Sequence, residues 1–468
     1  MKICFVIPDG VGIRNYLYTD LIYNLQKQGH SIIVLHNLDN AVLDEVRRVS
    51  KNRCEFKRLP VHQETLPIRF LRESVLYARL LHNVKITQNP TILKNWNPIR
   101  KKLLKKIYYT AVENVGFLLS GSYRRILRAE KIKSFLAQRS KYIKSYENIL
   151  EEIRPDILFN TNQRNILASG VFEAAGKRNI VRVNAIYSWD NLPKANMVAY
   201  SDFYFVWSAH MKEEIKRYYP EIEREQVFIT GTPQFTFYKN KHFYLTKEEF
   251  CKRFGFDSRK KIICFSGDDE LTSPYDHKYL EDLAEAVLSI PENLRPQILF
   301  RRCPVDFSNR YDEILKKYAS VITPVEPLWG QGSLSGWNYA YPLYEDVRLL
   351  VNIAKHCDTV YNVASTMVHD FAIYDKPGCY IAYDAISSSE WSVHTIYRFE
   401  HFKSMKNLDA VMWISKKEEI ASKIMKVLEQ PQTVARDRQK WLKHIIGEEE
   451  RPIEKIAELL TYGLKKTD

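Results

Sequence analysis

"YNVASTMVHDFAIYDKPGCYIAYD", residues 361–384, reads as a strand, a tight Ser-Thr step, a short helix, a Lys-Pro-Gly turn and a second strand. Ser365 and Thr366 are residue types that open helices, because their hydroxyls satisfy first-turn N–H groups. His369 and Asp370 fall just inside the helix. Lys376-Pro377-Gly378 ends it and returns the chain to "CYIAYD".

The same alternation runs through much of the chain. "KICFVI" (2–7) predicts a first buried strand, "YLYTDLIYNLQKQGH" (16–30) a helix capped by Gly29, and "SIIVLH" (31–36) a second strand. This βαβ start implies a parallel sheet with right-handed crossovers. Residues 66–153 interrupt it with long helical patterns. Strand signals resume at "IRPDILFNTN", "NIVRVNAIYSWDN", "DFYFVWS" and "QVFITGTPQ". Residues 235–260 lack strand periodicity and are expected to link two domains. A second set follows, with "KKIICFSGDDE", "PQILFRRCP", "YASVITPV" and the opening stretch, and then a helical tail from about residue 416. The expected organisation is a first Rossmann-like domain over 1–240 with a helical insertion at about 66–153, a second over 241–440, and a C-terminal helix over 441–468 that packs back on the first. Two doubly wound α/β domains facing a cleft bind ligands at the carboxyl ends of their strands.

The 468 residues, 45% of them hydrophobic, suffice for two cores. The apolar run Ile3–Ile7 is too short for a signal peptide, and no run of 18 apolar residues predicts a spanning helix. Seven scattered cysteines form no CxxC pair, which reads as reduced thiols in a cytoplasmic protein and speaks against zinc. The net charge of +14 is concentrated: residues 94–145 hold 14 Lys/Arg and 2 Glu.

Several segments carry chemistry. A helix start offers unpaired N–H groups and a partial positive charge, so Ser365 and Thr366 are candidates for holding a diphosphate. Asp370, one turn on, could accept hydrogen bonds from a ribose. In "ILFRRCP" (298–304), a basic residue at a strand end can grip phosphate. Arg302 is the candidate, although strand alternation leaves Arg301 open. In "FSGDDELTSP" (265–274), Gly267 suits close backbone approach, while Asp268 suits sugar hydroxyls better than phosphate. His394, with Tyr397 and His401, lies in a segment that could reach a sugar or base. Asp9 in "IPDGVGIRN" and Asp190 in "IYSWDN" follow strands of the first domain and are candidate general bases.

With these residues the chain resembles the GT-B-fold glycosyltransferases. The segment around Ser365, Asp370 and Lys376-Pro377 is also similar to that of the CDP-glycerol glycerophosphotransferases. Where related transferases often carry Arg-x-His-Pro, this chain has Arg301-Arg302-Cys303-Pro304. The resemblance implies a nucleotide-sugar donor in the second domain, an acceptor in the first, and catalysis without a bound metal or other cofactor. The expected activity is glycosyl transfer to a cell-surface glycan or a polyprenyl-linked acceptor. The alternatives are a CDP-glycerol-type transferase, a sugar-nucleotide epimerase and a non-catalytic nucleotide-binding scaffold. The basic, aromatic-rich segment 94–145 predicts attachment to an anionic membrane surface on its cytoplasmic side, and no nucleic-acid module is recognisable.

Overall fold

The computed structural model describes residues 1–50, 54–178, 180–198, 200–331, 340–388 and 390–464. The chain forms two compact units. The first comprises Met1–Pro233, the short segment Phe399–His401 and the chain from Ile446 on; the second comprises Gln234–Arg398 and Phe402–Ile445.

The first unit is built on seven parallel strands: β1 (Lys2–Ile7), β2 (Ser31–His36), β3 (Glu55–Arg58), β4 (Ile157–Asn160), β5 (Val181–Ala185), β6 (Phe203–Val206) and β7 (Val227–Ile229). Their order is β3-β2-β1-β4-β5-β6-β7, with Ile3 opposite Ile32 on one side and Ile157 on the other. The strands of β1 and β4 are buried on both faces, which is why they read as unbroken apolar runs rather than alternating ones. Their neighbours are α1 (Leu21–Lys27), α2 (Asn40–Val49), α3 (Leu66–Thr87), α4 (Leu103–Ser120), α5 (Tyr123–Arg139), α6 (Ile143–Ile153), α7 (Ser169–Ala175) and α8 (Ala209–Tyr218).

The first helical pattern is shorter than its periodicity predicts. Residues Ile13–Leu17 form one wide turn, and α1 starts only at Leu21. The Thr19 hydroxyl donates to the Asn15 carbonyl at 3.0 Å, a back-bond that bends a helix at this point. Gly29, at φ +85°, closes α1 as expected. The helices α3 to α6 fill the interruption in the βα alternation. They are locked by an internal ion cluster in which buried Arg79 reaches Glu130 at 2.6 Å and Glu221 at 2.6 Å.

The second unit holds a six-stranded parallel sheet and a two-stranded ribbon. Its strands are β8 (Ile262–Ser266), β9 (Gln297–Arg301), β10 (Ile322–Pro324), β11 (Trp329–Gln331), β12 (Ala340–Pro342), β13 (Thr359–Asn362), β14 (Gly378–Ile381) and β15 (Met412–Ile414). The sheet order is β10-β9-β8-β13-β14-β15, while β11 and β12 pair antiparallel by themselves. The helices of this unit are α9 (Lys247–Phe254), α10 (Asp276–Ser289), α11 (Asp312–Lys317), α12 (Tyr344–His356), α13 (Met367–Ala372), α14 (Val393–Ile396), α15 (Ile420–Glu429) and α16 (Arg438–Ile446).

Two expectations need correction. Residues 235–260 are not a plain linker: they carry α9, opened by a reciprocal capping box between Thr246 and Glu249 and closed by Gly255 at φ +76°. The tail is not one helix over 441–468. It breaks at Gly447, whose φ of +82° and close approach to the Trp207 carbonyl leave no room for a side chain. The chain restarts as α17 (Pro452–Glu458), which lies against α1, and Thr461 donates to Gln28 at 3.2 Å. The last four residues of that expected helix, 465–468, lie outside the described residues.

Candidate functional site

In each sheet the strand order reverses once, between β1 and β4 and between β8 and β13. Crossovers leave such a switch point in opposite directions, so the backbone opens there at the carboxyl ends. Asp9 follows β1 at the first of these places, and Gly267, Asp268, Ser365 and Thr366 follow β8 and β13 at the second, while Asp190, Arg302 and His394 follow other strands.

In the first unit, Asp9 follows β1 and is 1% exposed. Its Oδ2 accepts from the Asn162 and Asn165 amides, both at 2.7 Å, and its Oδ1 from the Val11 N–H at 3.1 Å. Burial raises the Asp9 pKa above the ordinary carboxylate value, and the three donors only partly offset this. The two asparagines come from the β4 end, where Asn160 also donates to Asn184 of β5 at 2.8 Å. Gly12 lets the β1 loop lie against Thr161: a Cβ at Gly12 would stand 2.5 Å from the Thr161 hydroxyl oxygen.

Asp190 lies beyond β5. It accepts from Ser188 at 2.6 Å and from Asn191 at 3.2 Å, and it pairs with Lys194. Burial alone would raise its pKa; the charges of Lys194 and His401, with the Ser188 hydroxyl, outweigh that and hold it well below the ordinary value. His401 belongs to this unit, and its ring meets Trp189 edge-on at 4.8 Å. Burial lowers its pKa to about 4 despite Asp190, so the imidazole is neutral near pH 7. Glu214 of α8 completes the group. Its pKa is raised well above the ordinary value by burial and then by the charges of Glu400 and Asp190. Tyr187 feels the charges of both Asp190 and Asp9, and burial is the larger cause of its raised pKa.

In the second unit, Gly267 follows β8 and donates to the Arg301 carbonyl at 2.8 Å. A Cβ there would meet the Tyr311 hydroxyl at 3.1 Å, so a larger residue would force the loop outward. The Asp268 N–H donates to Asp276 at 2.9 Å, and Tyr311 donates to the same oxygen at 2.9 Å. The Asp268 pKa is raised well above the ordinary value by burial and by the neighbouring Asp276 and Asp269 charges. The Asp276 pKa is raised to about 6, chiefly by burial. Asp269 instead closes its own turn, accepting from the Leu271 and Thr272 N–H groups at 3.0 Å each.

The β13 end is rigidly built. Ala364 adopts φ +58°, an unusual conformation for a residue with a Cβ. Three groups hold it: the Tyr397 hydroxyl accepts from the Ala364 N–H at 3.2 Å, Asn362 accepts from the Ser365 N–H at 3.0 Å, and Tyr380 donates to the Ser365 carbonyl at 3.0 Å. Ser365 is partly exposed and Thr366 exposed, at the start of α13. His394 is exposed on α14.

Two donor-side candidates sit differently from expectation. Asp370 is turned inward, 5% exposed, and accepts from the Tyr238 hydroxyl at 2.5 Å. A ribose at this carboxylate would first have to displace Tyr238. His369 beside it packs on Trp441 at 4.3 Å, and burial lowers its pKa to about 3. Arg301 is buried and donates twice to Asp346, at 2.9 and 3.0 Å. Asp346 also accepts from the Trp329 indole at 2.7 Å, so Arg301 anchors the β11 ribbon. Arg302 is the more open of the two, but its guanidinium already donates to the Ser308 carbonyl and lies 3.6 Å from Asp312.

The sequence reading missed Asn162, Asn165, Glu214 and Asp276. A run of asparagines after an apolar strand, "FNTNQRN", was the available signal for the first two. Among the described residues no group of three His, Cys, Asp or Glu side chains could hold a metal ion.

No family model and no curated protein matches the chain. Solved structures do. UDP-GlcNAc 2-epimerase from Methanocaldococcus jannaschii aligns with a TM-score of 0.54 at 13% identity, covering 99% of this chain and 100% of that one. The enzyme from Neisseria meningitidis bound to UDP-GlcNAc aligns with 0.51 at 10%, covering 98% and 99%. A glycosyltransferase from Rickettsia africae aligns with 0.53 at 10%, covering 100% and 99%. At these identities the likeness is one of fold: the chain has the GT-B fold of paired doubly wound α/β units.

Proposed function

We propose that the protein is a glycosyltransferase that moves a sugar from a nucleotide-sugar donor to a hydroxyl of a cell-surface glycan or polyprenyl-linked acceptor. The observation carrying this reading is that Asp9 with its asparagine donors follows β1 and β4, and that Gly267, Asp268 and Ser365 follow β8 and β13, at the switch points of the two sheets. The relatives in fold act on or bind UDP-linked sugars, which supports the same donor class.

In this reading Gly267, Ser365 and Thr366 receive the donor diphosphate, with Arg302 adding charge. A carboxylate beside a diphosphate would be repulsive. Burial and the neighbouring Asp276 and Asp269 charges raise the proton affinity of Asp268, which lessens that repulsion. Asp370 serves the ribose only if Tyr238 moves aside, and the exposed His394 supplies a contact to the sugar. On the acceptor side, Asp9 takes the hydroxyl proton as the bond to the anomeric carbon forms and the nucleoside diphosphate leaves. Its raised proton affinity suits it to that task near neutral pH. Asp190, kept ionised, is a fixed negative charge next to the neutral His401 and can offset the cationic character of the anomeric carbon. No metal or other cofactor enters this scheme.

A second reading, a sugar-nucleotide epimerase, is favoured by the number of epimerases among the similar folds. Titration calorimetry with UDP-, GDP- and CDP-linked sugars, CMP-sugars and CDP-glycerol identifies the donor. Following that donor by proton NMR separates the reactions. Transfer releases nucleotide only when an acceptor is added, whereas epimerisation changes the sugar with none present. Absence of binding to every nucleotide would leave only a scaffold role.

A further inference from the structure

We infer that the outward faces of α4 and α5 form a docking surface for an anionic lipid bilayer. On α4 the buried positions are Tyr109, Val112 and Gly116, which fall on one side of the helix. The opposite side of a helix in water is normally polar. Here it is not. Leu103 is 72% exposed, Leu104 81%, Ile107 59%, Phe117 67% and Leu118 65%. At 100° per residue Leu104, Ile107 and Leu118 line up within one stripe, about a half-turn from the buried side.

The adjoining helix α5 repeats the pattern. Its inner side is Ile126, Ala129, Glu130, Lys133 and Ala137. Ile132 and Phe135 are exposed on the outer side, at 53% and 54%. Arg124, Arg128, Lys131 and Arg139 are exposed among them, and Arg139 lies over the Phe135 ring. Lys101 and Lys102 just before α4, and Lys105 and Lys106 in its first turn, are exposed as well.

The acids of this segment do not dilute the charge. Glu113 takes the Trp96 indole and Arg100, and Glu130 takes Arg79 and Tyr200. What the surface presents is aliphatic and aromatic side chains ringed by cations. A layer that is negative outside and apolar beneath complements both features at once. Nucleic acid would meet the cations and leave the leucines in water. Among the described residues no helix is long and apolar enough to cross a membrane, so the contact is interfacial. The inference deepens the proposed reading by naming the surface from which a lipid-linked acceptor is reached, yet binding itself does not depend on that reading.

The test is vesicle flotation of the full chain. Vesicles of phosphatidylcholine alone are compared with an equal mixture of phosphatidylcholine and phosphatidylglycerol. The protein is expected to float with the mixture only, and less so as salt is raised. Leu104→Gln, Ile107→Gln and Leu118→Gln together should weaken flotation by about tenfold or more, and so should Arg124→Gln, Arg128→Gln and Lys131→Gln together. Unchanged melting temperature and unchanged donor calorimetry in both variants would show that they act on this surface alone. Absence of flotation, flotation indifferent to the apolar variant, or retention on a nucleic-acid column at the expense of vesicles would overturn the inference. Failure of donor binding with intact flotation would instead count against the nucleotide-sugar reading.

Discussion

Adjacent arginines at the end of β9 show how far identity alone can mislead. Arg301 and Arg302 are indistinguishable by type, and strand alternation states only that they face opposite ways. The structure buries one against Asp346 and leaves the other at the loop. Asp346→Ala should therefore destabilise the second unit by about 3–5 kcal/mol, because it strands a buried guanidinium. Arg302→Met should cost under about 1 kcal/mol and weaken donor binding instead. Urea melts and calorimetry on the two variants check both outcomes. Asp276 offers a pH test. Its folded pKa of about 6 lies above the unfolded value of 3.8, so the native state binds the proton more tightly. The native state therefore loses stability as pH rises from about 4 through 6, on the order of 3 kcal/mol. In Asp276→Asn the amide oxygen can still accept from Tyr311 and the Asp268 N–H, and the urea midpoint should become flat across that window and higher at pH 7. Neither Asp276 nor Glu214 stood out in the sequence, because a raised proton affinity comes from neighbours brought together by folding.

Strands buried on both faces declared themselves as apolar runs, so β1, β2, β4 and β8 were legible. Of the three-residue strands, β7 and β10 were read in "QVFITGTPQ" and "YASVITPV", while β11, β12 and β15 were not. The helix α9 was overlooked although "LTKEEF" carries a capping-box signal, because its aromatic surroundings suggested a linker. Its cap gives a direct measurement: Thr246→Ala should cost about 1 kcal/mol, read as a lower melting temperature, and Thr246→Ser should restore most of it. The β1 loop is the tighter case. Gly12→Ala places a methyl 2.5 Å from the Thr161 hydroxyl oxygen, so overpacking of about 1–3 kcal/mol is expected. The same variant should disturb the Asp9 setting and lower activity more than its melting temperature suggests.

The alternation of strands and helices along the chain was enough to read two doubly wound units, and the basic insertion stood out by charge alone. The path of the chain between units was not legible. Phe399–His401 belongs to the first unit while its neighbours on both sides belong to the second. No local pattern in "RFEHFK" announces this, since three residues carry no period and only tertiary packing decides their place. Glu400 binds the Asn89 amide at 2.7 Å, and His401 meets Trp189. A fragment ending at Pro233 should consequently melt lower than the first unit of the whole protein, with Asn89 and Trp189 more open to solvent by hydrogen exchange and fluorescence.

That three-residue segment also imposes an order on biosynthesis. Domains emerging from the ribosome tend to fold from the N-terminus onward. The sheet of the first unit is fully translated by Ile229, yet the histidine beside Asp190 arrives some 170 residues later. A nascent chain can thus own a finished sheet before His401 is available to Asp190. Ribosome-bound chains arrested before and after residue 401 should differ in Trp189 environment.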